Sequence, residues 1–379
     1  PQLALTWETT TSFNYGIDLG LFDDAYVFDI NFYNKRTDDL LFPNVSMSQS
    51  SGFDSYAYVN GGIMDNDGWE VNFFANRFIK SKNFSVDFKF NLSNYKNTLI
   101  DLDQQLLDTY NGDGFNYKNG SYITHIQEGN SFGSIYGFRY KGVYKYDKYT
   151  EEHTDAPVAR DASGKVITDQ DGNPRAMYFA YGKESQYKFR GGDAIYEDIN
   201  HDGSIDDLDI VYLGNCNPKV NGGFGATFRY KNFSCNMLFN FRYGNKIINT
   251  ARMNAENMYS DNNQSVAVNW RWRKDGDETQ MPRALHDVGF NWLGSDRYVE
   301  DGSFTRFKYL TFNYAFDNKV LKKFNVNKLS LYLTFNNLFV WTKYTGVDPE
   351  IGYGSFGLSM DGSSTPRTKD MTFGISVGL

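Results

Sequence analysis

The sequence predicts an all-β fold, and more narrowly a transmembrane antiparallel β-barrel, from three observations. Aromatic residues make up 17% of the 379 positions, with 28 Tyr, 32 Phe and 35 Gly, and this composition favours strands over helices. Several segments of about ten residues alternate between large apolar and small polar side chains. The connections between these segments alternate between short and long, which a compact soluble sandwich has no reason to do.

The alternation is clearest in the last nine residues, MTFGISVGL. Side chains alternate across a strand, so the large apolar and the small polar residues fall on opposite faces. The apolar face contains Met371, Phe373, Ile375, Val377 and Leu379. Burying each of these side chains gains roughly 1.5–3 kcal/mol, so an apolar environment must cover them. The other face is too polar and Gly-rich for a second core, and it suits a water-filled or plugged lumen.

We predict about eleven strands in the chain. They cover residues 9–22, 25–34, 68–79, 83–96, 121–128, 134–145, 220–231, 232–243, 304–316, 328–341 and 371–379. The long connections are 34–67, 97–120, 146–219, 244–303 and 342–370, and they are interleaved with short turns such as FDDA, KSKN and YKNF. This order places all long loops at one end, as in outer-membrane barrels with extracellular loops and periplasmic turns.

Composition and motifs argue against several other classes. The formal charge of −8 is unsuited to binding nucleic acid, and no apolar run approaches the roughly 20 residues of a membrane helix. Cys216 and Cys235 are predicted to be free thiols rather than a single bridge. The four histidines are scattered and no catalytic motif appears, so we expect no enzymatic activity. The chain begins PQLALTWE without Met or a signal peptide, and we treat residues 1–379 as the C-terminal part of a longer protein.

The stretch DINHDGSIDDLD, residues 198–209, has the spacing of a twelve-residue calcium loop. Its expected oxygen ligands are the side chains or carbonyls of Asp198, Asn200, Asp202, Ser204, Asp206 and Asp209. Gly203 supplies the sharp turn at position 6, and Ile205 is the apolar anchor at position 8. Asp209 replaces the longer Glu of an EF-hand, and the flanks are extended rather than helical. The sequence therefore predicts a calcium ion that stiffens the long extracellular loop 146–219, although a solvated Asp/Gly turn is the alternative.

The run NWRWRKDG, residues 269–276, is the main aromatic–basic cluster of the loops. Trp270 and Trp272 could stack on sugars or nucleobases, and they are our weak candidates for substrate contact. Packing within the loop 244–303 is the interpretation that we favour.

Several segments together resemble SusC/RagA-type TonB-dependent transporters. These are LTWETTTSFNYGIDLGLF with NFYNKRTDDLL, IQEGNSFGSIYGFRYKGVY, GGDAIYEDINHDGSIDDLDIVYLGNCNPKVNGGF, DRYVEDGSFTRFKYLTFNYAF and NLFVWTKYTGVDPE. They occur in the family's order and cover nearly the whole chain. Leu379 departs from the Phe on which the family usually ends.

The resemblance implies the C-terminal half of a 22-stranded barrel that holds an N-terminal plug. On this interpretation, neither the plug nor the TonB box is in this chain. It also implies the outer membrane of a Bacteroidetes-type Gram-negative bacterium, a SusD-like surface lipoprotein as lid, and energy delivered by TonB through the plug. The expected substrates are oligosaccharides or peptides, and the transporter–lid complex could form a dimer.

Two rival classes stay open at this point. A secreted all-β glycan-binding module with a dockerin-like calcium loop would explain the composition, but dockerins carry two such loops near a chain end. An all-β hydrolase would need an acid–base pair that the sequence does not offer. Dependence on detergent separates the barrel from both rivals.

Overall fold

The computed structural model describes residues 5–46, 55–111, 121–122, 125–181, 186–317, 321 and 326–378. Strands dominate these residues, and helices are few and short. The strands are β1 (Thr9–Leu21), β2 (Tyr26–Asp38), β3 (Leu41–Ser46), β4 (Ser55–Asn60), β5 (Ile63–Lys80), β6 (Phe84–Asp101), β7 (Ser134–Gly137), β8 (Tyr140–Val143), β9 (Tyr178–Ala180), β10 (Gln186–Lys188), β11 (Ala194–Tyr196), β12 (Ser204–Ile205), β13 (Val211–Asn215), β14 (Val220–Tyr230), β15 (Phe233–Tyr243), β16 (Lys246–Ile248), β17 (Val299–Asp301), β18 (Phe304–Ala315), β19 (Lys328–Thr342) and β20 (Asp370–Gly378). The α-helices are α1 (Gln104–Asn111) and α2 (Thr250–Glu256).

A nine-stranded antiparallel sheet forms the body of the molecule. Its strand order is β1-β2-β5-β6-β14-β15-β18-β19-β20, so each strand pairs with the next long strand of the chain. The connections alternate strictly: 22–25, 81–83, 231–232 and 316–327 are short, whereas 39–62, 102–219, 244–303 and 343–369 are long. The prediction that all long connections lie at one end of the sheet is therefore confirmed.

One of the eleven predicted strands is absent from the described residues, and a second is present but lies outside the large sheet. Residues 121–122 and 125–128 contain no strand, and residues 123–124 lie outside the described part of the chain. Residues 134–145 form the short strands β7 and β8, which pair with β13 and β11 rather than with the large sheet. Because β6 pairs directly with β14, the whole segment 102–219 is one long connection. The strand residues within 134–145 therefore serve local pairing inside that connection.

One face of the sheet is continuously apolar. Paired residues of neighbouring antiparallel strands share a face, so the register defines rows that run across the sheet. The central row consists of Leu19 and seven phenylalanines, Phe28, Phe73, Phe90, Phe224, Phe239, Phe307 and Phe339. Many side chains on this face are exposed within the described chain, including Ile17 at 63% and Phe373 at 63%. The predicted apolar face of the last strand is thus present on all nine strands, while Leu379 itself lies outside the described residues.

The opposite face is polar and rich in amides. The row beside the phenylalanines contains Asp18, Asp29, Asn72, Asn91, Gly223, Asn240 and Arg306. Glycines on this face let tyrosine rings lie flat on the sheet: a Cβ on Gly68 would meet the Tyr33 ring at 2.3 Å, and one on Gly374 would meet the Tyr332 ring at 2.1 Å.

The long connections pack into small cores of their own beyond one end of the sheet. The largest core joins the segment 134–215 to the region around Leu293. It is built from Phe138, Tyr144, Met177, Phe179, Phe189, Ala194, Tyr196, Ile205 and Leu293. Both cysteines are free, as predicted, and burial raises the pKa of the Cys216 thiol to about 11.

Within the described residues, none of the helices has the length and apolar character that crossing a membrane requires.

Candidate functional site

The first half of the predicted calcium loop brings three of its six proposed ligands together. The Asp198 carboxylate accepts hydrogen bonds from the backbone N–H groups of Asp202 at 3.2 Å and Gly203 at 2.8 Å. The Asn200 side chain accepts from the Asp202 N–H at 3.0 Å and donates to the Asp202 carboxylate at 2.9 Å. Gly203 has a φ of 84°, which is the sharp turn expected at position 6. Asp198, Asn200 and Asp202 are thus pre-arranged around one turn.

The second half of the loop is arranged differently. Asp209 is fully buried, and its two oxygens accept from the N–H groups of Ile199 at 2.7 Å and Asp206 at 2.9 Å. Asp206 caps the 3-10 turn Asp207–Asp209 by accepting from the Leu208 N–H at 2.9 Å. Burial, with the nearby carboxylates of Asp198 and Asp206, raises the pKa of Asp209 to about 6. Asp209 therefore closes the second half of the loop through backbone donors, as Asp198 does in the first half.

Calcium binding by this loop remains a prediction. Across the described ranges, no group of three or more His, Cys, Asp or Glu residues is arranged to hold a metal ion. The donors that fit an oxygen-preferring cation are Asp198, Asn200 and Asp202, to which the Ser204 carbonyl at position 7 can be added. Burial raises the pKa of Asp206, and the carboxylates around it raise it further, so the loop concentrates negative charge that a cation would relieve.

The anchor of this loop is well defined. Ile205 is completely buried in the core shared with Phe179 and Tyr196. Strand β12, which contains Ser204 and Ile205, pairs in parallel with β9 at Tyr178 and Phe179. The loop is therefore fixed to the folded connection 102–219 and lies on the long-connection side of the sheet, as predicted.

The two tryptophans of the aromatic–basic run have different surroundings. Trp270 is 77% exposed at the end of the 3-10 turn Val266–Trp270. Trp272 donates from its indole nitrogen to the Lys145 carbonyl at 3.1 Å, and its ring lies on Gly192, where a Cβ would come within 2.3 Å of it. Packing within the loops therefore explains Trp272 but not Trp270.

Sequence reasoning missed a third feature, a cavity of about 500 Å³ on the polar face. Strands β5, β6, β14 and β15 form its floor, and the tip of the connection 343–369 forms its upper rim through Glu350 and Tyr353. The Arg242 guanidinium lies 5.9 Å from the centre of the Tyr353 ring and 6.0 Å from that of Phe304. The connection between β19 and β20 thus folds back over the sheet.

Ion pairs hold this connection, named here the returning loop (residues 343–369), against the sheet. Arg306 on β18 is only 3% exposed, and its guanidinium lies 2.5 Å from the Asp348 carboxylate and 3.3 Å from that of Glu350. Arg367 approaches Glu350 from the other side at 3.3 Å. No local pattern in the sequence could have indicated these contacts, because the partners of Arg306 lie more than forty residues away along the chain.

Comparisons with known proteins agree with the sheet and the sequence blocks. No protein-family model matches the chain. TonB-dependent receptor P39 of Formosa agariphila is 32% identical over 391 residues, which cover 98% of this chain and 36% of that receptor. TonB-dependent receptor SusC of Bacteroides thetaiotaomicron is 24% identical over 381 residues, with 98% and 32% covered. The chain spans about a third of the length of these relatives.

Solved structures give the same result for the fold. The structure of the RagAB peptide transporter matches with a TM-score of 0.68 at 23% identity, covering 98% of this chain and 36% of that one. The chain is therefore homologous, along nearly its whole length, to TonB-dependent receptors of the SusC/RagA family.

Proposed function

We propose that this chain is part of the barrel wall of a TonB-dependent importer in the outer membrane of a Bacteroidetes-type Gram-negative bacterium. The importer takes up oligosaccharides or peptides and works as the barrel component of a SusCD-type complex. This chain contributes polar wall, lipid-facing surface and the long loops at the outer end, whereas energy from TonB reaches the importer through a plug outside the chain.

The observation that carries the proposal is the row of phenylalanines on an uncovered sheet face. Seven adjacent strands each place a phenylalanine in this row, and no second layer of the described chain covers it. Each large apolar side chain gains roughly 1.5–3 kcal/mol when it leaves water, so such a face needs an apolar environment. Lipid is the environment that accepts a single apolar sheet face of this extent, provided that the sheet closes and leaves no edge.

The segregation of loops supports an outward orientation of the long connections. Outer-membrane barrels have short periplasmic turns and long extracellular loops, which is the order of connections here. The packed cores of the connection 102–219 give the outer end a folded surface against which a SusD-like lipoprotein can dock. The structural likeness of the chain to the RagAB peptide transporter supports an assembly of this kind.

Localisation of the intact protein tests the proposal. In cells that make it naturally, it is expected in the outer-membrane fraction, resistant to carbonate extraction and soluble only in detergent. Folded protein should migrate faster than heated protein in a denaturing gel, as closed barrels do. A protein that stays soluble without detergent would refute the importer and leave the secreted glycan-binding module as the alternative.

Purification from native membranes tests the partner and the substrate. A surface lipoprotein in constant ratio to the importer is expected, and its absence after mild solubilisation would contradict the SusCD-type assembly. Mass spectrometry of material released on denaturation then distinguishes bound oligosaccharide from bound peptide.

A further inference from the structure

Strands β2, β5 and β6 continue past the apolar part of the outward face, which is the face of the phenylalanine row. On β6 the side chains of this face are apolar from Phe84 to Leu92, and the next one is Asn94. Phe84 and Asn94 are ten positions apart. This is about 33 Å along a strand and about 25 Å across the membrane at a tilt of about 40°. The apolar part of β6 therefore has the height of the apolar band of an outer-membrane barrel.

Beyond this band the outward face becomes polar. Phe32 and Trp69 pair at the boundary, where aromatic rings are enriched in membrane barrels. The two rows beyond them form a surface named here the outer polar patch. It consists of Asn34, Asp67 and Lys96 in the first row and Arg36, Asp65 and Thr98 in the second.

The height of the outer polar patch places it among the lipid headgroups. Its rows lie two and four positions beyond Trp69 on β5, or roughly 5 and 10 Å further from the membrane centre at the same tilt. The headgroup region of a bilayer adds about 5–8 Å to each side of the hydrocarbon core. The outer polar patch therefore begins within the headgroup layer and ends just outside it.

The side chains of the outer polar patch form one exposed surface. The Asn34 amide donates to the Asp67 carboxylate at 2.5 Å, and Lys96 lies opposite Asp67 on the neighbouring strand. The Arg36 Nε lies 3.5 Å from the Asp38 carboxylate and 4.0 Å from that of Asp65. The Arg36 side chain is nevertheless 46% exposed, and exposed pairs of this kind are weak. The guanidinium is therefore available to a partner outside the chain.

The charges of the outer polar patch have both signs, and this restricts the partner. Arg36 and Lys96 are donors for phosphate oxygens, since guanidinium and ammonium groups both bind phosphate. Asp65 and Asp67 present carboxylates, which would repel a purely anionic partner but bind divalent cations. The outer leaflet of a Gram-negative outer membrane consists of phosphorylated glycolipid whose molecules are bridged by divalent cations. Such a layer carries both of the charges that the patch can bind.

We infer that the outer polar patch binds the headgroup of the phosphorylated glycolipid in the outer leaflet. Arg36 and Lys96 contact its phosphates, and Asp65 and Asp67 face the divalent cations that bridge them. This inference rests on the outer-membrane location proposed above and adds a lipid contact on the wall of the barrel, away from the import path. A protein covering the same surface is the alternative that the experiment must separate.

The test uses the intact protein, purified in detergent and washed free of lipid, in fluorescence polarisation with labelled diphosphoryl lipid A and Mg²⁺. Arg36→Gln and Lys96→Gln should each weaken binding about fivefold, since one basic residue at a charged lipid surface contributes about that factor. Dephosphorylated lipid A, which lacks both phosphates, should bind about 25-fold more weakly. EDTA should weaken binding to the unmodified protein, but not to a variant that combines Asp65→Asn with Asp67→Asn.

Two control variants remove the same charge from the opposite face. Lys35 is adjacent to Arg36, and its ammonium lies 5.1 Å from the centre of the Tyr33 ring on the polar face. Lys89 is on the same strand as Lys96 and pairs with Gly225 on that face. Lys35→Gln and Lys89→Gln should leave the affinity for lipid A unchanged. Gel migration before and after heating shows whether each variant is folded.

Three outcomes would overturn the inference. Equal losses for Arg36→Gln and Lys35→Gln would show that the outward face is not the binding surface. Equal affinity for phosphorylated and dephosphorylated lipid A would exclude headgroup recognition. Loss of a co-purifying protein in Arg36→Gln and Lys96→Gln, with lipid binding unchanged, would assign the patch to a protein contact. Each of these results is compatible with a protein that fractionates with the outer membrane, so the importer can stand while the lipid contact fails.

Discussion

Replacement of Phe239 by Arg probes the environment of the phenylalanine row directly. The Phe239 ring stacks on Phe224 at 4.8 Å and on Phe307 at 4.3 Å, with interplanar angles of 8° and 11°. Each aromatic pair contributes about 0.5–1.5 kcal/mol beyond its buried area. A charged Arg on the lipid face near the bilayer midplane costs a further 2–4 kcal/mol or so. The substitution should therefore destabilise the folded protein by about 3–7 kcal/mol.

The matched control lies on the same strand but on the other face. Asn236 pairs with Thr227 and Thr311 in a polar row, so Asn236→Arg places the same charge where water or polar groups can solvate it. We expect this variant to lose less than about 1 kcal/mol, as most substitutions away from packed cores do. Urea unfolding of intact protein in phosphatidylcholine vesicles, with the midpoint and slope recorded for each variant, measures the difference.

A third variant separates lipid from a protein core. Phe239→Ala in a close-packed interior leaves a cavity and costs about 3–5 kcal/mol, whereas lipid chains fill the space and leave mainly the transfer and stacking losses. Equal losses for Phe239→Arg and Asn236→Arg would refute a lipid-facing row. A loss for Phe239→Ala as large as that of a buried core residue would point to a second protein layer instead.

Three further predictions follow from the loops. Chelation with EDTA should speed proteolysis between residues 195 and 212, and Ca²⁺ but not Mg²⁺ should reverse this effect. Asp198→Asn should abolish the difference between cleavage with and without EDTA. Unchanged cleavage of the unmodified protein would contradict the calcium loop. Arg306→Ala should open the returning loop to hydrogen exchange, because breaking a buried ion pair costs about 3–5 kcal/mol. The control Arg139→Ala should leave exchange in that loop unchanged, because it removes only an exposed pair worth at most about 1 kcal/mol. Trp272→Ala should lower thermal stability by several degrees and Trp270→Ala should not, as calorimetry would show; equal effects would mean that the exposed ring also packs.

The long strands could be predicted because each of their residues has to suit one of the two faces of the sheet, and this produces a regular alternation in the sequence. Each strand of the sheet has to present an apolar face to one environment and a polar face to the other, so the sequence of β15 or β20 already contains the pattern. The prediction for residues 134–145 failed for a different reason. These residues do form strands, but their place in the fold depends on partners such as Val211–Asn215, which lie more than seventy residues later in the chain.

In the candidate sites too, features set by residues close together in the sequence could be predicted, and the detailed contacts could not. The turn of the predicted calcium loop is local: Asp198 and Gly203 are five residues apart, and the positive φ of Gly203 is the sharp turn that the spacing predicted. The hydrogen bonds of Asp209 were not, because spacing does not show that its carboxylate accepts from the backbone N–H groups of Ile199 and Asp206.

The returning loop connects the polar face of the sheet to the end of the sheet where the long connections lie. Arg306 pairs across the sheet with Asn240, which lines the cavity, and it also binds Asp348 and Glu350 of the loop. A buried pair of charges is weak evidence for stability, since desolvation offsets much of the attraction. It is stronger evidence for position, because the other hydrogen bonds of Asp348 come from Glu350 and Arg367 of its own loop, and only Arg306 joins it to the sheet. Arg306 therefore ties the loop tip to the sheet, in addition to the backbone bonds that Phe356 and Ser359 accept from Gly133 and Ile248, and changes at Arg306 should alter the shape of the cavity.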